Sequence, residues 1–279
     1  MSLIDEKAPQ IAVLDVSLST FNVAQWQSGD VVKTEDFLAE ETPIALIYNG
    51  VSHAVMLATA QDLEDFALGF SLSEGILQHA SELYEVEIKT QSNGIEVHCE
   101  IASERFAKLK EHRRTLAGKT GCGLCGAENL AQAMRYPAVL KRQQKFEVSA
   151  IAKGLQGIKA HQVLQQKTGA THASAYALAD GEVVLVREDV GRHNALDKLI
   201  GALAKAKLDK NGFIITTSRA SFEMVQKTAS AGVSMLVAVS APTGLAARVA
   251  TACGLTLVGF ACESRFVVYS FAENVLTEK

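Results

Sequence analysis

The 279-residue chain has no basic excess; its formal net charge is −4. A dedicated nucleic-acid binder usually carries a surplus of Lys and Arg, so no nucleic-acid partner is expected. Small anionic ligands stay possible, because local basic pockets hold those. No stretch approaches ~18 uninterrupted apolar residues, so no membrane span is expected. Residues 1–10 (MSLIDEKAPQ) are polar and acidic and lack the basic start and apolar run of a signal peptide. Repeats and low-complexity tracts are also missing, which argues against solenoids and linkers. Cysteines are few and odd in number: Cys99, Cys122, Cys125, Cys253 and Cys262. Without a secretion signal, that count points to reduced thiols in the cytoplasm.

What is present suits a globular protein. The chain is 48% hydrophobic and 21% charged, enough for one or two domains with a sizeable core. Strand signals crowd the first half. Apolar runs flank Asn49-Gly50 within Ile44–Ala58, and alternating residues flank Asn93-Gly94 within Tyr84–Ala102; both predict hairpins. Between them Leu63, Phe66 and Phe70 share a helical face, with Thr59 and Asp62 as a capping pair. A second helix is expected over about 103–114. The polar, proline-bearing stretch Arg135–Phe146 places a domain boundary there, giving a smaller α+β unit over 1–140 and a second domain over 141–279.

The second half changes rhythm. A hairpin around Asp180-Gly181 comes first. A helix from about Arg192 to Ala206, the strand GFIITTS and a helix from Ser221 follow, then the strand SMLVAVS, a helix from Gly244 to Cys253 and the strand LTLVGFA. Continuous apolar strands alternating with helices predict a sheet covered on both faces, a three-layer α/β domain.

Chemistry concentrates in four places. In KTGCGLCGAEN, Cys122 and Cys125 are boxed by glycines, with Lys119 ahead and a helix expected from Ala127. Cations and a helix N-terminus both raise the thiolate fraction, favouring a reactive thiol. Half a zinc site is the alternative, but Cys253 and Cys262 lie nine apart and supply no second pair. Arg187–Gly201 (REDVGRHNALDKLIG) is dense in charge at a strand-to-helix junction. It reads either as an anion site using Arg192 and His193 or as a salt-bridged cap with Asp189 at its start. Thr217, Ser218, Arg219 and Ser221 gather hydroxyls, a guanidinium and free amides, the chemistry phosphates need, or else an ordinary cap. Gly259–Ser270 ends the last core strand with Cys262, Glu263, Ser264 and Arg265. Adjacent strand ends of this kind suggest a nucleotide-sized crevice. His53, His161 and His172 are isolated and read as structural.

Together these segments resemble the FdhD family of formate dehydrogenase accessory sulfurtransferases. ETPIALIYNG, LEDFALGFSLSEGI, TGCGLCG, KTGATHASAYAL, REDVGRHNALDKLIG, SRASFEMVQK and VSAPTGLA carry the resemblance, which spans most of the chain. It implies a cytidine-deaminase-like α/β C-terminal domain beside the smaller α+β unit, in a homodimer. It also implies that Cys122 accepts sulfur from a cysteine desulfurase as a persulfide, with Cys125 resolving or holding it. The sulfur would pass to the molybdenum cofactor, as bis(molybdopterin guanine dinucleotide), before insertion into the formate dehydrogenase apoenzyme. The cofactor loop matches Phe260, Ala261, Cys262, Glu263, Ser264 and Arg265, where GDP or GTP could also sit; zinc is not implied. Members often carry arginine where Cys262 stands.

Two other enzyme classes fit less well. A zinc nucleobase deaminase would need a glutamate where Ser174 follows His172, and its CxxC would not precede the histidine. A thioredoxin-type oxidoreductase would set CxxC at a strand-to-helix junction. A zinc-stapled scaffold is the structural alternative.

Overall fold

The computed structural model describes residues 17–117, 135–141 and 144–277. Its chain opens with an antiparallel ribbon, β1 (Leu18–Gln27) and β2 (Asp30–Ala39), which pair from Leu18↔Ala39 to Gln27↔Asp30. Most of its side chains are exposed, Trp26 among them. The sequence reading had no element here, because a ribbon that buries neither face leaves no periodic apolar signal.

Both expected hairpins form. β3 (Thr42–Tyr48) and β4 (Val51–Ala58) turn at Asn49 and Gly50, whose φ values of 45° and 79° suit the turn that Asn-Gly favours. The Asn49 side chain also bonds both the N–H and the C=O of Ile101. β5 (Leu83–Gln91) and β6 (Gly94–Ile101) complete a four-stranded sheet, ordered β4-β3-β6-β5, with β3 parallel to β6. Ile44, Leu46 and Tyr48 alternate inward from β3 and meet Phe66 and Phe70 of α1 (Leu63–Ser73). α2 (Ser103–Ala117) follows β6. One expectation is corrected here. Asp62 precedes α1 in a left-handed conformation and makes no capping bond, while Thr59 turns away to a distant partner described below.

β7 (Phe146–Glu147) pairs with β14 (Val275–Leu276), bringing the chain's end beside α3 (Val148–Ala160) and the short α4 (Val163–Thr168). The main sheet follows. β8 (His172–Ala177) and β9 (Val183–Asp189) form a hairpin, and β10 (Phe213–Thr216), β11 (Met235–Ala238) and β12 (Thr256–Cys262) run parallel. β13 (Arg265–Ser270) folds back on β12, giving the order β13-β12-β11-β10-β8-β9. Helices α5 (Arg192–Ala206), α6 (Phe222–Ser230) and α7 (Gly244–Cys253) connect the strands.

Both faces of this mixed sheet are covered. Tyr176, Ile214, Leu236 and Leu257 point to α5, α6 and α7, while Ala175, Ile215, Val237 and Val258 point to Ile151, Leu155 and Ile158 of α3. The two halves meet where α1 crosses α5. A Cβ on Gly69 would fall 1.7 Å from the Asp197 carbonyl oxygen, and one on Gly201 would fall 1.9 Å from that of Asp65. The backbones touch, so only glycine fits at either crossing point. Among the described residues, no helix is long and apolar enough to cross a membrane.

Candidate functional site

The parallel strands β10, β11 and β12 end side by side. In a sheet of this kind, ligands bind beyond such carboxyl ends. Thr217 and Val239 extend the first two strands, and Ala261 and Cys262 finish the third. They border a cavity of about 610 Å³ whose opposite wall is built from α3, α4 and the loop into β8. Leu155, Ile158, Val239 and Ala261 make it partly apolar; Lys159, Gln162, Thr171, His172, Cys262 and Glu263 add polar groups.

A single buried carboxylate fixes the far wall. Glu188 accepts hydrogen bonds from the backbone N–H of Leu164 and Gln165, both at 2.9 Å, and from the Thr171 hydroxyl at 3.1 Å. Thr171 N–H in turn donates to the Gln165 side chain at 2.8 Å. Glu188 thereby ties α4 and the His172 approach to the sheet. Across the mouth Glu263 accepts from Lys159 at 2.8 Å and from Gln156 at 3.0 Å, and these bonds hold its carboxyl below the usual range.

Two polar side chains reach the cavity unpartnered. Gln162 is 8% exposed, yet its amide has no hydrogen-bond partner among the described residues. The His172 ring is half-buried with none either. Burial, then the nearby Arg192 charge, depresses its pKa, against which the Asp189 carboxylate pulls. Burial therefore favours the neutral His172 imidazole, which is able to donate or to accept. Sequence reading placed it among structural histidines and had no signal for Gln162. Gln162 belongs to no motif, and His172 lies in KTGATHASAYAL without a role assigned to it; the topology brings both to the strand ends.

The Cys262 thiol stands at the rim. A two-residue turn closes at Cys262↔Arg265, and Sγ lies 3.7 Å from the Ser264 hydroxyl. That hydroxyl, then the backbone N–H groups of Ser264 and Arg265, lowers the thiol pKa. Cys99 and Cys253 are buried; burial pushes the Cys99 thiol up to about 12. Phe260 has φ 50° and its side chain is exposed, as are Ser264 and Arg265.

The other expected residues face elsewhere. Ser218 is buried, bonding the Thr216 hydroxyl and the Arg219 carbonyl, and Arg219 is exposed. His193, at the start of α5, lies 2.8 Å from Glu223 on α6. None of Arg192, His193, Ser218 and Arg219 lines the cavity that takes in Ala261, Cys262 and Glu263. In the charged stretch, Arg187 pairs with Asp65 at 2.7 Å, Asp189 with Lys198 at 2.7 Å, and Asp197 with Lys227 at 3.0 Å. These charges are spent on internal partners. Asp189 does not cap α5, which begins after Gly191; instead its carboxylate accepts from Gly191 N–H. Ser221 occupies the N-cap of α6 without a capping bond. Cys122 and Cys125 lie outside the described residues. Among those described, no three His, Cys, Asp or Glu side chains are grouped to hold a metal ion.

The whole chain can be set beside known proteins. A family model described as the FdhD/NarQ family matches residues 39–276, most of the chain. The chain belongs to the FdhD/NarQ family. A relative from Cupriavidus necator, named sulfur carrier protein FdhD, is 55% identical over 261 residues, which cover 93% of this chain and 91% of that one. One of the same name from Xanthomonas euvesicatoria is 50% identical over 254 residues, covering 91% and 90%. A crystal structure from Desulfotalea psychrophila, provisionally described as a formate dehydrogenase accessory protein, superposes with a TM-score of 0.72. It is 22% identical, covers 93% of this chain and 99% of its own, and so speaks to the fold alone.

Proposed function

We propose that this protein is a sulfur carrier for formate dehydrogenase. Cys122 accepts sulfur as a persulfide from a cysteine desulfurase. The sulfur is then handed to a molybdenum bis(molybdopterin guanine dinucleotide) substrate before that cofactor enters the apoenzyme. The observation that supports this reading best is the cavity at the strand ends. Its volume, apolar floor and unpartnered Gln162 and His172 suit a heterocycle with hydrogen-bonding edges, such as a guanine base. Lys159 at the mouth would face the phosphates, and the exposed Arg265 of the turn after Cys262 would add a second cation.

The chemistry is thiol exchange. A thiolate attacks the outer sulfur of a donor persulfide, a new S–S bond forms, and the donor leaves as a thiolate. Cys125 would hold or resolve the product. The same reading takes residues 141–279 as a cytidine-deaminase-like domain and 1–140 as the smaller α+β unit, in a cytoplasmic homodimer without zinc.

Mass spectrometry tests the carrier role. After incubation with a desulfurase and cysteine, the Cys122 peptide should gain one sulfur, about 32 Da. Cys122→Ala should lose both that adduct and formate dehydrogenase activation, and full activation by the variant would refute the assignment. Calorimetry with GDP tests the crevice: Gln162→Ala should weaken binding about tenfold. Parallel measurements on Arg265→Ala and Arg219→Ala separate the cavity mouth from the α6 face.

A further inference from the structure

Cys262 is the exposed thiol among the described residues, and it does not stand alone. It shares its cavity with Gln162, a residue 8% exposed whose side chain has no hydrogen-bond partner among the described residues. An amide that faces a cavity without a protein partner is free to bond whatever enters it. His172 brings a second open valence to the same space. A nucleophile at the rim of a ligand cavity is placed to act on what the cavity holds.

From this juxtaposition we infer that Cys262 is a second sulfur-accepting thiol, which takes sulfane sulfur from a persulfide donor and presents it to the occupant of the cavity. This rests on the carrier reading above and extends it by a relay position. The thiolate of Cys262 attacks the outer sulfur of a donor R–S–SH. The Cys262 Sγ–S bond forms as the donor's S–S bond breaks, and the electron pair leaves with R–S⁻. That thiolate takes up the proton released when Cys262 ionised. Nothing is oxidised or reduced overall, and the product is Cys262–S–SH. The local structure helps the step. The Ser264 hydroxyl and the Ser264 and Arg265 N–H groups favour the thiolate, while Ala261 and Val239 line the adjoining wall.

The test uses full-length protein and two readouts. In the first, the Cys122→Ala/Cys125→Ala variant is exposed to glutathione persulfide, alkylated and mapped by mass spectrometry. Sulfur is expected on the Cys262 peptide, and GDP should slow its arrival several-fold by covering the rim. Absence of sulfur on Cys262, or loading that GDP leaves untouched, overturns the proposal. In the second, Cys262→Ser is compared with the parent. Cys262 is exposed, so serine keeps the fold, which the thermal midpoint checks. Formate dehydrogenase activation should fall about tenfold while sulfur loading on Cys122 stays unchanged. Undiminished activation overturns the relay and leaves the carrier reading standing; an inert Cys122→Ala comparison tests that reading separately.

Discussion

Lys198 Nζ lies 2.7 Å from Asp189 Oδ2, and neither side chain has any solvent exposure. Thr59 completes the cluster from the other half of the chain. Its N–H and hydroxyl both donate to Asp189 Oδ2, at 3.1 and 2.9 Å, and its carbonyl accepts from Lys198 at 3.0 Å. Gly191 N–H and the Asn194 amide satisfy the second carboxylate oxygen. A buried ion pair of this kind joins the N-terminal sheet to β9 and α5.

Removing one partner leaves the other charged and buried. Lys198→Met should therefore destabilise the protein by about 3–5 kcal/mol, read as a shift in urea midpoint. The double variant Lys198→Met/Asp189→Leu should recover part of that loss, since it leaves no lone carboxylate. A double variant no more stable than the single one would show that the cost lies in packing instead.

That cluster also shows what the sequence could and could not tell. The helix after Asp62 was legible from Leu63, Phe66 and Phe70, because apolar periodicity is local. Thr59 looked like its cap, yet its hydroxyl serves Asp189, 130 residues away. No local pattern encodes such a partner. The helices Arg192–Ala206 and Gly244–Cys253 were legible from their periodicity, and the strand ends singled out in the sequence border the cavity. Gln162 and His172 were not, because α3 and α4 carry no motif and become a cavity wall only through Glu188. The charged stretch after Arg187 left an anion site and a salt-bridged cap both open, because unpaired and internally paired charges read alike in one dimension.

The contact of α1 with α5 gives a second prediction. Gly201→Ala would put a methyl group into the Asp65 carbonyl, and no side-chain rotation relieves a clash with backbone. The helices must separate, at about 1–3 kcal/mol or more. Gly169→Ala is the contrast. Its Cβ would meet nothing within 4 Å, so its cost comes from its φ of 66° alone. Thermal midpoints of the two variants check the ordering, with Gly201→Ala the lower.

Acidification should destabilise the protein through two histidines. Burial depresses His172, with Arg192 adding to it; burial also depresses His193, where the Glu223 carboxylate pulls the other way. Both folded-state pKa values lie below the ordinary 6.5. Below that pH the unfolded chain therefore binds protons that the folded chain refuses. The contribution is complete above about pH 7.5, declines as pH falls through 6.5, and levels off below the folded values. Urea midpoints at pH 7.5 and 5.5 should differ less in His172→Gln than in the parent. An unchanged difference would assign the acid sensitivity to other groups.

Glu188 offers the sharpest test of how the cavity is held. Its two oxygens accept three hydrogen bonds, two from backbone N–H groups at the start of α4 and one from Thr171. Glu188→Gln keeps the volume but replaces one acceptor oxygen with an NH₂ group, which confronts at least one N–H donor-to-donor. The expected loss is about 1–3 kcal/mol, and it falls on the wall and not on the core strands. Amide exchange at Leu164 and Gln165 should accelerate by about ten- to a hundredfold, while exchange in β10 and β11 changes little. Because Gln162 and His172 flank that wall, GDP affinity should fall with it. Thr171→Val removes only one of the three bonds and should give the same pattern at smaller amplitude. Loss of protection spread evenly over the sheet would mean that Glu188 supports the whole domain, not the site.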